Sequence, residues 1–104
     1  MLDASRKARA SIEGRNREDL ASDEQLFLAL QRLIEIIGEA AKKVSSGTRS
    51  QAAGIEWAAI AGMRDRLIHA YFDVNPDLVW STVTDDLPPL MAALESLLKT
   101  DFPA

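Results

Sequence analysis

Arg64, Asp65, Arg66, His69, Tyr71 and Asp73 crowd into ten residues, the densest set of side chains in the chain able to bind phosphate or move protons. On one continuous helix, Arg64 and Tyr71 differ by about 20° and lie roughly 10 Å apart along the axis, whereas His69 is rotated about 140° from Arg64. Convergence of Arg64 and His69 on one phosphate then needs the relaxed geometry of a helix end and a curled arginine. Asp65 and His69 stand four apart and face each other on such a helix. A carboxylate there holds one imidazole nitrogen as a donor and leaves the other as proton acceptor.

The chemistry this set suits is cleavage within an RNA strand. A proton must leave the 2'-OH, negative charge must be stabilised on the phosphorane, and the departing 5'-oxygen must be protonated. Histidine near its unperturbed pKa of about 6.5 suits either proton transfer, and the planar arginine fork matches phosphate oxygens. The scheme calls for no cofactor. Because His69 is the single histidine of the chain, acid and base can both be imidazoles only if a second copy contributes its own, as a symmetric dimer would. A plainer reading stays open, with His69 an ordinary partly buried histidine, Arg64 and Arg66 surface charges, and Tyr71 a half-buried aromatic. Glu35 and Glu39, four apart upstream, either orient those arginines or are simply solvated.

What must position these residues is one domain spanning residues 1–104, since that length leaves no room for a second core. With 47% hydrophobic and 27% charged residues, the composition is that of a globular chain. The absence of cysteine excludes disulfides and thiolate metal sites and fits a cytoplasmic location, and one histidine makes a multi-histidine metal site impossible within one chain. A net charge of -4 argues against coating nucleic acid by bulk electrostatics, so any contact with it is local. The basic cluster of Arg6, Lys7, Arg9, Arg15 and Arg17 reads first as solvated helix faces. No apolar run approaches the roughly 18 residues of a membrane span, and the basic N-terminus has no apolar stretch behind it, so neither membrane insertion nor secretion is expected.

The elements are all helical. Residues 3 to 13 form a first helix stopped by Gly14, and residues 15 to 21 a loop. Ser22 and Gln25 make a capping-box pattern that opens a long helix, whose Leu26, Leu30, Leu33, Ile34, Ile37, Ala41 and Val44 recur at three and four. Residues 45 to 54 read as a serine- and glycine-rich loop. A third helix is predicted from near Ile55 through Tyr71, weakened at Gly62, which would allow close packing. Asn75 and Pro76 open a fourth, Leu87, Pro88 and Pro89 break it, and a last helix runs to a frayed end at residues 101 to 104. No glycine-rich phosphate loop or strand alternation is present, which removes the dinucleotide and P-loop readings. The predicted fold is an all-α antiparallel bundle of four to five helices, and the long stripe in so small a domain leans toward a dimer.

Arg64-Asp65-Arg66-Leu67-Ile68-His69-Ala70-Tyr71 resembles the R-x4-H-x-Y signature of HEPN-domain ribonucleases. The flanks resemble the HepT-like toxin family in particular: Glu35-Ile36-Ile37-Gly38-Glu39-Ala40-Ala41, Ile55-Glu56-Trp57, Gly62-Met63, Val79-Trp80 and Asp86-Leu87-Pro88. Relatives commonly carry a few more residues ahead of the position of Met1, so either the first helix is clipped here or Met1 is not the true start. The resemblance implies a HEPN bundle forming a homodimer, with Arg64 and His69 of both copies lining a composite cleft for metal-independent RNA cleavage. Asp65 and Arg66 would support them. It further implies the toxin of a type VII toxin–antitoxin pair whose MntA-like nucleotidyltransferase partner silences it by adding AMP to Tyr71, otherwise a substrate contact. The alternative is a non-catalytic module that binds a nucleotide or a nucleotidyltransferase in the same cleft.

Overall fold

The apolar stripe between Leu26 and Ala41 becomes the central helix. In a computed structural model that describes residues 1–52, 54–70 and 73–101, the side chains of 68–70, 73 and 99–101 excepted, it spans Glu24–Lys42. The helices are α1 (Leu2–Ser11), α2 (Asp19–Ser22), α3 (Glu24–Lys42), α4 (Ser46–Gln51), α5 (Trp57–Ala61), α6 (Met63–Leu67), α7 (Pro76–Ser81) and α8 (Leu87–Asp101). Leu30, Ile34, Ile37 and Ala41 of α3 are fully buried, meeting Ala8 of α1, Met63 of α6, Val79 of α7 and Leu87 of α8 in one core. Leu33 and Val44 are only half buried at its margin. Helix α1 packs on α3 and α8, and α3 on α5 and α6, so the all-α bundle read from the sequence is the observed architecture. Among the described residues no helix is long and apolar enough to cross a membrane.

Several boundaries differ from the sequence reading, each for a local reason. The N-cap of α3 is Asp23 rather than Ser22: its carboxylate accepts from the Leu26 N–H at 3.1 Å, while the Ser22 hydroxyl donates back to the Asp19 carbonyl inside the extra turn α2. The stretch expected to be a loop after α3 contains α4. Ser45 caps it by accepting from the Thr48 N–H, and Arg49 donates to the Ala41 and Val44 carbonyls at 2.8 and 3.2 Å. The Ala41 carbonyl is in the last turn of α3 and Val44 lies just past its end, so Arg49 ties α4 to the C-terminus of α3.

The two prolines do not break the last helix. A π-helical turn, Thr82–Asp86, joins α7 to α8 without a gap, and Pro88 and Pro89 lie in the first turn of α8. They have no N–H to return to carbonyls one turn back, and the buried Val83 carbonyl accepts instead from Arg9 Nη1 at 3.3 Å. The expected start of α7 is as observed, with Asn75 as N-cap and Pro76 in the first turn.

The predicted third helix is the largest departure. It is cut at Gly62 into α5 and α6 and ends at Leu67. The chain then enters a small antiparallel pair, β1 (Ile68–Ala70) and β2 (Asp73–Val74), with Ile68 opposite Val74 and Ala70 opposite Asp73. A continuing helix would bond the Leu67 carbonyl four residues ahead, but the Asn75 N–H takes it at 2.9 Å. A long-range main-chain bond thus replaces the local one. The frayed end expected at residues 101 to 104 lies, beyond Asp101, outside the described residues.

Candidate functional site

Helix α6 is five residues long and carries the arginine of the Arg-x4-His pattern at its second position. Met63 and Leu67 are buried and anchor it, which turns Arg64, Asp65 and Arg66 outward. Arg64 Nη1 lies 3.7 Å from Asp65 Oδ1, with the two side chains 53% and 76% exposed. So exposed a pair contributes about 0 to 1 kcal/mol, and an incoming anion displaces it readily.

Arg64 and Asp65 share a cavity of about 90 Å³ with Glu35, Glu39 and Lys42, which follow at four and three along one face of α3. Gly38 and Ala61 complete its wall. Both carboxylates singled out in the sequence therefore do come beside Arg64, although Glu35 pairs with Arg32, at 3.4 Å. Lys42 is not among the residues the sequence singles out. The signal that it belongs here is its position seven residues after Glu35, on the same helical face.

Arg66 goes elsewhere. Its Nη2 donates to the Ala59 carbonyl at 3.2 Å, and it lines a different groove, of about 280 Å³, with Asp85, Asp86 and Leu90. The structure thus brings Asp65, but not Arg66, to Arg64. The face-to-face helical placement of Asp65 and His69 does not hold, because α6 stops at Leu67 and His69 belongs to β1. The side chain of His69 and all of Tyr71 lie outside the described residues, as does the side chain of Asp73. The N-terminal basic cluster is engaged within the fold: Arg6 pairs with Glu95, Lys7 with Asp3, Arg15 with Asp23 and Arg17 with Asp77.

A family profile described as Ribonuclease HepT-like matches residues 1–97. The chain belongs to the HepT-like ribonuclease family. Among its relatives, "Putative RNase TTE0752" of Caldanaerobacter subterraneus subsp. tengcongensis is 38% identical over 90 residues, 86% of this chain and 80% of that protein. "Probable ribonuclease HepT" of Thermococcus cleftensis is 42% identical over 82 residues, 79% of this chain and 74% of that one. No solved structure matches the chain significantly. In this chain Arg64 is thus a helical residue lining a charged cavity, and His69 belongs to β1.

Proposed function

We propose that the chain is a metal-independent endoribonuclease acting as a homodimer, with Arg64 and His69 of each copy facing a shared cleft. Membership of a ribonuclease family supports the activity class. The observation that carries the site is the exposed Arg64 guanidinium, held beside the Glu35–Glu39 face by α6 just before the strand that bears His69.

In this scheme Arg64 displaces its weak contact with Asp65 in favour of the scissile phosphate and stabilises the charge that builds on the phosphorane. The His69 imidazole of one copy takes the proton from the 2'-OH, the 2'-oxygen attacks phosphorus, and the bond to the 5'-oxygen breaks. The imidazolium of the second copy returns a proton to that oxygen. The products are a 2',3'-cyclic phosphate and a 5'-hydroxyl. Asp65, in the same cavity as Arg64, supports it, whereas Arg66, turned into a different groove, does not. Tyr71 contacts substrate and is the residue to which an MntA-like nucleotidyltransferase antitoxin adds AMP. An anionic group there competes with the phosphate for Arg64.

Cleavage of an RNA oligonucleotide and of its DNA counterpart, both in EDTA, tests this. The RNA should be cut to cyclic-phosphate ends and the DNA left whole, for want of a 2'-OH. Cutting of both, or a requirement for added metal, contradicts the reading.

A further inference from the structure

Helix α3 has a glycine in its interior, at a position where only proline is a worse helix former. Helical propensity therefore gives no reason for it, and the packing does. A Cβ built on the buried Gly38 would lie 3.2 Å from the Ala61 carbonyl oxygen and 3.4 Å from that of Ile60. Both neighbours are main-chain atoms, unable to swing aside as a side-chain end would. A Cβ built on Gly62, where the sequence suggested close packing, would meet the Ala58 carbonyl at an ordinary 3.5 Å, and one built on Gly47 in α4 would meet nothing within 4 Å among the described residues.

Ile60 and Ala61 end α5, and Arg64 follows three residues after Ala61. Gly38 and Ala61 also wall the cavity that Arg64 enters. We propose that Gly38 is a positioning residue for Arg64: its missing side chain lets the last carbonyls of α5 seat on α3. That seating fixes where α6 begins and how the guanidinium stands over the Glu35–Glu39 face. A methyl group at 38 must move the α5 terminus by a few tenths of an ångström, and the shift grows along the length of the arginine side chain. Transition-state contacts are sensitive to displacement on that scale. The inference rests on the reading of Arg64 as the phosphate-binding residue.

The test compares Gly38→Ala, Gly47→Ala, Arg64→Ala and the Gly38→Ala/Arg64→Ala double variant, by RNA cleavage and by amide NMR spectra. Gly38→Ala should remain folded, shift the amides of Met63 to Asp65, and lower kcat about tenfold with KM little changed. Gly47→Ala should do none of this, and in the Arg64→Ala background the Gly38 substitution should have no further effect. Unmoved amides at Met63 to Asp65, losses that multiply in the double variant, or a Gly38→Ala chain that no longer folds each overturn the proposal. Unchanged cleavage by Arg64→Ala alone would instead remove Arg64 from the reaction, while the amide shifts still decide whether Gly38 sets the position of α6.

Discussion

The main-chain N–H of Asn75 donates to the Leu67 carbonyl at 2.9 Å, closing the base of the hairpin whose first strand includes His69. The same residue opens α7, its side-chain oxygen accepting from the N–H groups of Asp77 and Leu78 at 2.9 and 3.4 Å. Asn75 thus ends one element with its backbone and starts the next with its side chain. The two roles separate by mutation. Asn75→Ala removes the cap alone and should lower stability by about 1 kcal/mol in urea unfolding, with cleavage per folded molecule retained. Asn75→Pro removes the N–H as well and should depress cleavage beyond what its loss of stability explains.

Arg9 and Val83 offer a second test. The Val83 carbonyl sits where the π-helical turn runs into Pro88 and Pro89, and Arg9 supplies a hydrogen bond to it from α1. Arg9→Ala leaves an acceptor of a fully buried residue without that donor and should destabilise the fold by about 1 to 3 kcal/mol. Thermal unfolding should show it, whereas Lys7→Ala, which removes an exposed i,i+4 pair with Asp3, should be near neutral.

Asp23 gives α3 a pH dependence. The hydrogen bond from the Leu26 N–H holds its carboxyl below the usual aspartate range, outweighing the opposing effect of burial, with further help from the Arg15 guanidinium. A folded-state pKa depressed in this way contributes stability that is present above the unfolded value of about 4 and is lost as pH falls through the lower folded one. Stability should therefore decline in that acid window. Asp23→Asn keeps a capping oxygen but cannot titrate, so its decline should be shallower. An identical slope in both proteins would show that Asp23 does not contribute.

The parts of the fold legible in the sequence were those set by neighbours in the chain. The stripe from Leu26 to Ala41 announced α3, and Asn75-Pro76 announced α7, because a helical face and a cap are local patterns. The extent of the helix bearing Arg64 was not legible, since its end depends on Leu67 meeting a residue eight positions away. Pro88 and Pro89 suggested a break for lack of any sign that Arg9 would serve a carbonyl near them. Of the charged residues singled out in the sequence, Arg64, Asp65, Glu35 and Glu39 line one cavity. The partition was not legible: adjacent residues Asp65 and Arg66 line different cavities, which follows from how α3 and α8 flank α6 rather than from the order of residues.

The proton-transfer role of His69 is tested most directly by the single-turnover rate at which His69→Ala cleaves RNA in EDTA, set against wild type with folding matched by circular dichroism. Loss of an imidazole that moves protons in the rate-limiting step should slow cleavage by about 10² to 10⁴. Equal rates for the two proteins would contradict the account.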